Sequence, residues 1–180
     1  MTDLLFPLKK LVVINSRYDN LFIKYDKYTE LPIKNHPGSF GYERKNHIHE
    51  GLDFYCESGD LVHCIEHGVV VSISLFTGPL VGSPWWNTTY CILVEGETGV
   101  FNYGEILVNP QLVVGQKVYQ GDVLGAVQTV LKKEKGRPKN MLHLELYKHK
   151  TQKHIDGWSL GQDKPSNLLD PTVYFFGFAL

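Results

Sequence analysis

The feature that most limits how this chain can fold is its series of short apolar segments closed by turn residues. Six of them have the length of strands, at residues 11–15, 52–55, 68–75, 89–94, 100–103 and 122–130. Ten Tyr, nine Phe and 17 Gly fit this pattern, because aromatic residues favour strands and glycine favours tight turns. No segment of a dozen residues keeps a helical period, and only a short helical turn at 165–169 is predicted. The sequence therefore predicts an all-β fold, an antiparallel sandwich or open barrel with long loops and little helix.

One domain is predicted for most of the chain. A length of 180 residues suits a single domain with a substantial core. Residues 1–39 show no regular glycine spacing. We expect them to form an N-terminal extension that packs on a domain made of residues 40–180.

The charge balance bears on the possible partners. Eighteen Lys and Arg residues against 19 Asp and Glu residues give a net charge of −1. Without excess positive charge, we expect neither nucleic acid nor a membrane surface as a partner. Asp3, with no basic residues ahead of an apolar run, predicts that the N-terminus is not a secretory signal. Three cysteines without C-x-x-C spacing suit a reducing compartment, so we expect a cytoplasmic protein.

Candidate metal ligands lie in two separate segments. His49, Gly51 and Asp53 form an H-x-G-x-D motif, and His143 lies on a predicted strand whose alternate leucines face the core. Two imidazoles and a carboxylate are a usual ligand set for catalytic zinc, which keeps a fourth position open. A straight strand would separate His49 from Asp53 by about 13 Å. The chain must therefore bend between them, and Gly51 is the residue that tolerates a bend.

Ordinary structural roles are the alternative for these residues. His49 and His143 could be half-buried histidines without a metal, and Asp53 could cap a turn, because H-x-x-x-D is a short pattern. Three other histidines are expected at the surface or in turns: His47, His63 and His67.

Several glycine-anchored motifs follow one another in a recognisable order. They are F-G-Y at 40–42, H-E-G-L-D at 49–53, G-D-L-V-H-C at 59–64, V-G-Q-K-V at 114–118, M-L-H-L-E at 141–145 and D-P at 170–171. On these motifs, residues 40–172 resemble the lysostaphin-type zinc metallopeptidases, endopeptidases that cut peptide cross-links of bacterial cell walls. The resemblance implies that family's all-β fold, zinc as cofactor on His49, Asp53 and His143, and a peptide or small amide as substrate.

Both helper histidines that this family uses for proton transfer are absent. The Y-x-H-L motif reads Tyr103-Gly104-Glu105-Ile106, and the first histidine of H-x-H is Met141. One hypothesis makes Glu105 the general base, with Tyr103 assisting and Met141 lining the substrate pocket. Strand alternation predicts that Tyr103 and Glu105 share a face, which in this family looks onto the metal. Glu105 could instead bind the metal as a fourth ligand, which would make the site structural.

The competing hypothesis is a catalytically inactive zinc-binding module that uses its groove for binding. Non-catalytic members of the family tend to lose the metal ligands themselves, whereas this chain keeps all three. Altered chemistry is therefore favoured, and we expect zinc-dependent hydrolysis of a peptide or similar amide bond. Without an export signal, recycled wall peptides or an unrelated small substrate replace the intact wall as candidates. A related β fold serves sugar phosphotransfer through two histidines, but Asp53 argues against that role.

The longest predicted loop, residues 77–87, contains two adjacent tryptophans. Trp85 and Trp86 could form one wall of a substrate groove, because exposed aromatic residues commonly bind peptide or sugar faces. Packing beneath the loop is the alternative role for both.

Overall fold

A computed structural model describes residues 4–9, 23–24, 28–29, 36–133 and 139–176. The strand predicted at 11–15 lies outside the described residues. Among those that are described, no helix has the length and apolar character needed to cross a membrane.

The described residues are almost entirely strands and loops, which confirms the all-β prediction. They contain one 3-10 helix, Pro79–Val81, and one α-helix, α1 at Thr172–Phe176. The strands are β1 Ile23–Lys24, β2 Tyr28–Thr29, β3 His47–Ile48, β4 Leu52–Tyr55, β5 Leu61–His63, β6 Gly68–Thr77, β7 Thr89–Gly96, β8 Val100–Val108, β9 Lys117–Val118, β10 Val123–Val127, β11 Met141–Tyr147, β12 Trp158–Ser159 and β13 Leu168–Leu169.

One antiparallel sheet of nine strands carries the domain. Its main path runs β13-β11-β8-β7-β6-β9, with β4 paired to β11 and with β10 paired to both β5 and β8. Two small sheets, β1-β2 and β3-β12, complete the described strands. The β4–β11 pairing matters most for function, because it sets His143 directly opposite Asp53.

The core lies beneath this sheet. Its largest fully buried side chains include Phe54, Tyr103 and Leu144. From the N-terminal segment, Leu4 and Phe6 pack against the same cluster. The backbone of that segment also pairs with β5 and the residues after it, through Leu5 N to Ile65 O (2.9 Å) and His63 N to Pro7 O (2.9 Å). These contacts support our proposal that the N-terminal residues pack on the domain.

The prediction of a helical turn at residues 165–169 is wrong. Leu168 N donates to Pro165 O at 3.0 Å, closing a turn, and the chain then enters β13, which pairs with the end of β11. Pairing to an existing strand outweighs the weak local helical signal of so short a segment. The helix begins after Asp170 instead, whose Oδ1 accepts a hydrogen bond from Thr172 N at 2.8 Å. Asp followed by Pro171 is thus a helix start, with the carboxylate as its cap.

Candidate metal centre

Three side-chain atoms from separate parts of the chain converge on one point. His49 follows β3, Asp53 lies on β4 and His143 lies on β11. Asp53 Oδ1 is 3.0 Å from His49 Nε2 and 2.8 Å from His143 Nδ1, and the two nitrogens are 3.1 Å apart. All three residues are buried, and within the described part of the chain they form a group that could hold a metal ion.

The spacing of these atoms fits a metal ion. Ligands bound at 2.0–2.2 Å with tetrahedral angles lie roughly 3.3–3.6 Å apart. The observed 2.8–3.1 Å is a slightly contracted version of that triangle. Two imidazole nitrogens and one carboxylate oxygen form a donor set that suits zinc.

Gly51 lets the chain bring His49 next to Asp53. A Cβ at this position would lie 2.4 Å from Leu144 O and 3.0 Å from His143 Nε2. Any larger residue would therefore push the H-x-G-x-D segment away from β11. The glycine is required for close approach of two backbones, and His143 reaches its partners across that contact.

Hydrogen bonds fix the orientation of both imidazoles. His49 Nδ1 lies 2.9 Å from Ser39 O, so it donates there and leaves Nε2 for the cluster. His143 Nε2 lies 3.2 Å from Glu145 Oε1, which leaves Nδ1 for the cluster. Glu145 also accepts hydrogen bonds from Tyr147 OH at 2.8 Å and from Asn102 Nδ2 at 2.5 Å. Such outer partners set the tautomer and the ring orientation of metal-binding histidines.

Arg44 orients Asp53. Its guanidinium donates to Asp53 Oδ2 at 2.5 Å and to Pro37 O at 2.8 and 3.1 Å. Burial opposes ionisation of Asp53, but His49 and Arg44 hold the pKa of that carboxyl well below its usual range. Burial lowers the pKa of His49, whereas hydrogen bonds to Asp53 and Glu145 overcome burial and raise the pKa of His143 well above its ordinary value. The Asp53 carboxylate is therefore anionic and held on one side by a cation, as a metal ligand would need to be.

A bulge in β8 brings Glu105 to the same site. Between Tyr103 and Ile106, β8 advances three residues while β7 advances two, from Ile92 to Tyr90. Glu105 has a positive φ of 65°, which is unusual for a residue with a side chain. The extra residue reverses the side-chain alternation of the strand, so Glu105 faces the cavity that contains the three ligands.

The prediction that Tyr103 and Glu105 share a face is wrong, and the bulge is the reason. Tyr103 is fully buried in the core, where its hydroxyl accepts a hydrogen bond from Ile65 N at 3.0 Å. Tyr103 does not line the cavity that contains the three candidate ligands. Gly104 was the available signal, because a glycine inside a strand often marks a bulge.

The carboxylate of Glu105 is buried and incompletely bonded. Burial, followed by the negative charge of Asp53, raises the pKa of Glu105 to about 8. Among the described residues, its Oε2 atom has no hydrogen-bond partner. Glu105 is also outside the three-residue ligand group. The arrangement therefore does not show the fourth-ligand geometry.

A cavity of about 640 Å³ opens over the ligands. Of the three residues expected to contact substrate, Met141 and Trp86 line it, whereas Trp85 does not and is 60% exposed. The sequence reasoning missed Arg44 and Phe76, which also line the cavity. Neither belongs to a motif, and only the folded chain reveals their position.

The other histidines divide between surface and interior. His67 is exposed, as expected. His47 lines the cavity and is half-buried, and this burial lowers its pKa. His63 was also expected to point outward, but it is only 8% exposed, with Nδ1 3.0 Å from Gly121 O. Its backbone N–H also donates to Pro7 O of the N-terminal segment at 2.9 Å.

Comparison with solved structures identifies the fold. The catalytic domain of the antimicrobial peptidase lysostaphin from Staphylococcus simulans matches 76% of this chain and 87% of its own, with 19% identity and a TM-score of 0.50. This chain has the lysostaphin-type peptidase fold. The resemblance inferred from the motifs is thus confirmed at the level of fold. No protein-family model and no curated protein matches the sequence.

Two further solved structures are similar at lower scores. CbpA from L. salivarius REN is 23% identical over 74% of this chain and 80% of its own, with a TM-score of 0.46. A putative peptidase M23 from Pseudomonas aeruginosa is 19% identical over 83% of this chain and 50% of its own, also with a TM-score of 0.46.

Proposed function

We propose that the protein is a zinc-dependent hydrolase of peptide or similar amide bonds. The observation that carries the proposal is the convergence of His49 Nε2, Asp53 Oδ1 and His143 Nδ1 within 3.1 Å of one another at a cavity of about 640 Å³. The volume is within the usual range of small-molecule sites. The peptidase-type fold supports the choice of reaction class.

The three ligands would hold the metal and leave a coordination position open. When bound, zinc supplies Lewis-acid polarisation of the amide carbonyl and a hydroxide-type nucleophile near neutral pH. Arg44 and Glu145 hold the ligands in register through hydrogen bonds to Asp53 and His143. Preorganised ligands lose little conformational freedom on binding, which favours a tight site.

Glu105 is our candidate general base. Its carboxylate faces the ligand cavity with one oxygen free of hydrogen bonds among the described residues. In this role, it would accept the proton of the attacking water and later return it to the leaving amine. A nearby dication favours the ionised form of a carboxyl group, which is the form that a base needs. Met141 and Trp86 would contact the substrate from the cavity walls.

The alternative is a zinc-binding module without turnover. The observation in its favour is the loss of both helper histidines, combined with the position of Tyr103 in the core. In that case, the cavity binds a ligand without cleaving it, and Glu105 is only one of the residues that line the cavity.

Metal analysis and peptide hydrolysis together test the proposal. Purified wild-type protein supplied with zinc should hold about one equivalent, and His143→Ala should lose most of it. Glu105→Gln keeps the side-chain shape, so it should retain zinc while the hydrolysis of short wall-type peptides falls by about 10²–10⁴. Glu66→Gln is the matched control, since Glu66 is a buried carboxylate outside the cavity. Equal activity in Glu105→Gln and wild type would reject the base. Full zinc loading with no hydrolysis of any peptide would support the binding module.

The cellular setting is also a proposal. A cytoplasmic location would make recycled wall peptides or another small amide the substrate. Assays with free peptides therefore come before assays with intact wall.

A further inference from the structure

The cavity over the metal ligands has walls of two kinds. One wall, here called the apolar wall, consists of Val81, Trp86, Val130 and Leu131. The rest of the lining is mixed: it includes the acidic residues Glu50 and Asp156 as well as Phe76 and Trp158. A cavity with such different walls distinguishes between the groups of an asymmetric ligand.

The apolar wall is assembled from two segments that are distant in sequence. Residues of the 77–87 loop meet the segment after β10, where Trp86 and Leu131 form an isolated antiparallel bridge. The same segment adjoins the start of β11 through a bridge between Thr129 and Asn140. The wall therefore continues directly into Met141, which lines the cavity two residues before the ligand His143.

Hydrogen bonds hold the 77–87 loop in place. Thr77 Oγ1 donates to Asn87 O at 2.7 Å, and Gly78 N donates to Ser83 Oγ at 2.8 Å. Asn87 N in turn donates to Val130 O at 2.8 Å. A wall fixed in this way is preorganised, so little ordering is needed when a ligand packs against it.

Part of this wall is left open to water. Val81 is 43% exposed and Trp86 is half-buried, although both are large and apolar. The nearest charged side chain along the chain, Lys132, has its ammonium 2.8 Å from Pro84 O. Burying apolar surface of this kind against a second apolar group is favourable, and aromatic side chains contribute the largest areas.

We propose that the apolar wall is a substrate subsite for a large apolar side chain next to the bond that is cut. The inference rests on the proposed hydrolase function, because the metal ligands define which bond reacts. It assigns a substrate class, peptides or amides with a leucine-like or phenylalanine-like group beside the reacting amide. A glycine at that position has no side chain to cover the wall. The wall then stays in contact with water, and the peptide gains no binding free energy from it.

Calorimetric titration of the zinc-loaded full chain tests the subsite without relying on turnover. The probes are blocked tetrapeptides Gly-Gly-X-Gly and Gly-X-Gly-Gly, in which X is Gly, Leu or Phe. In one of the two series, Leu or Phe should bind at least tenfold more tightly than Gly, as expected for filling an apolar pocket. Mass spectrometry of the same mixtures records whether any peptide is cut.

Adjacent tryptophans provide the matched variants. Trp86→Ala should reduce the preference for Leu or Phe to within about twofold of Gly, whereas Trp85→Ala should keep it, because Trp85 does not line the cavity. Val81→Asp serves as a second variant that the fold tolerates, since Val81 is 43% exposed. It places a charge against the incoming apolar group and should also abolish the preference. Circular dichroism verifies that each variant is folded.

The outcomes separate the subsite from the hydrolase. Equal binding of the Gly, Leu and Phe peptides overturns the subsite, as does a preference that survives both Trp86→Ala and Val81→Asp. Hydrolysis with no apolar preference overturns the subsite and leaves the hydrolase proposal standing. A preference that depends on Trp86 and Val81 but comes without cleavage of any peptide keeps the apolar wall as a binding site, rejects the hydrolase and overturns the placement beside a cut bond.

Discussion

Arg44 shows how a single residue outside any motif shapes the site. Its guanidinium takes up Asp53 Oδ2, which leaves Oδ1 directed at the two imidazoles. Because one carboxylate oxygen is held by a hydrogen bond, the other oxygen stays in a constant position. The three candidate ligand atoms therefore keep their spacing without depending on free rotation of the Asp53 side chain.

We predict that Arg44→Gln weakens zinc binding by about 10- to 100-fold, as is typical when an outer partner of a ligand is removed. Competition with a chromophoric chelator measures the affinity. Lys45→Gln is the control. Lys45 is the exposed neighbour of Arg44 in the chain, and its substitution removes the same charge. If both variants lose affinity equally, the effect of Arg44 is general electrostatics and its orienting role is refuted.

Glu66 is a buried carboxyl group of a different kind, outside the cavity. It accepts hydrogen bonds from Thr98 N at 3.1 Å and from Thr98 Oγ1 at 3.0 Å, in the turn between β7 and β8. Burial raises its pKa despite these bonds. A carboxyl group whose pKa is higher in the folded state favours folding below its unfolded pKa, and this contribution is lost as the pH rises through the folded value.

We therefore predict that Glu66→Gln makes stability less sensitive to pH. Wild-type protein should lose more stability than the variant between about pH 4 and pH 7, because only wild type must ionise a buried acid. Urea unfolding at both pH values gives the difference. A larger loss in the variant would mean that the pKa shift has the opposite sign.

At the scale of elements, two glycines mark where strands approach too closely for a side chain. A Cβ on Gly51 would lie 2.4 Å from Leu144 O, and a Cβ on Gly68 would lie 2.5 Å from Glu95 O. The two clashes are alike, but only the first lies beside a metal ligand, since His143 Nε2 is also within 3.0 Å of that Cβ.

This pair gives a matched prediction. Gly51→Ala and Gly68→Ala should each lower the free energy of unfolding by about 1–3 kcal/mol through overpacking. Gly51→Ala alone should weaken zinc binding, because it separates the H-x-G-x-D segment from β11. Chemical denaturation and zinc titration on both variants test this. Unchanged zinc affinity in a folded Gly51→Ala protein would contradict the proposed need for close approach.

The sequence predicted most strands and named the three residues that the fold brings together, but it did not predict the details of β8. Alternating apolar residues and spaced glycines predict β4, β6 and β7, because both signals are local. The direction of Glu105 depends on a bulge in β8 whose register is set by pairing with β7, so a local rule placed Tyr103 wrongly. Likewise, only the folded loop decides that Trp86 and not Trp85 lines the cavity.

At the scale of the whole molecule, the ligand set links distant parts of the chain. Asp53 and His143 are 90 positions apart, and they lie on β4 and β11, which pair in the nine-stranded sheet. A metal that binds only the folded state adds RT ln(1 + [L]/Kd) to the free energy of unfolding. A metal bound to these residues should therefore raise the melting temperature of the entire domain.

We predict that zinc raises the melting temperature of wild type and that chelation reverses the shift. At free zinc about 100-fold above Kd, the gain of about 2.7 kcal/mol corresponds to roughly 5–10 °C for a domain of this size. Asp53→Ala should melt at the same temperature with and without zinc, because the anionic ligand is missing. Differential scanning calorimetry with zinc and with chelator measures all four states. Equal shifts in wild type and Asp53→Ala would place the metal elsewhere, since the ligand triangle cannot form without that carboxylate.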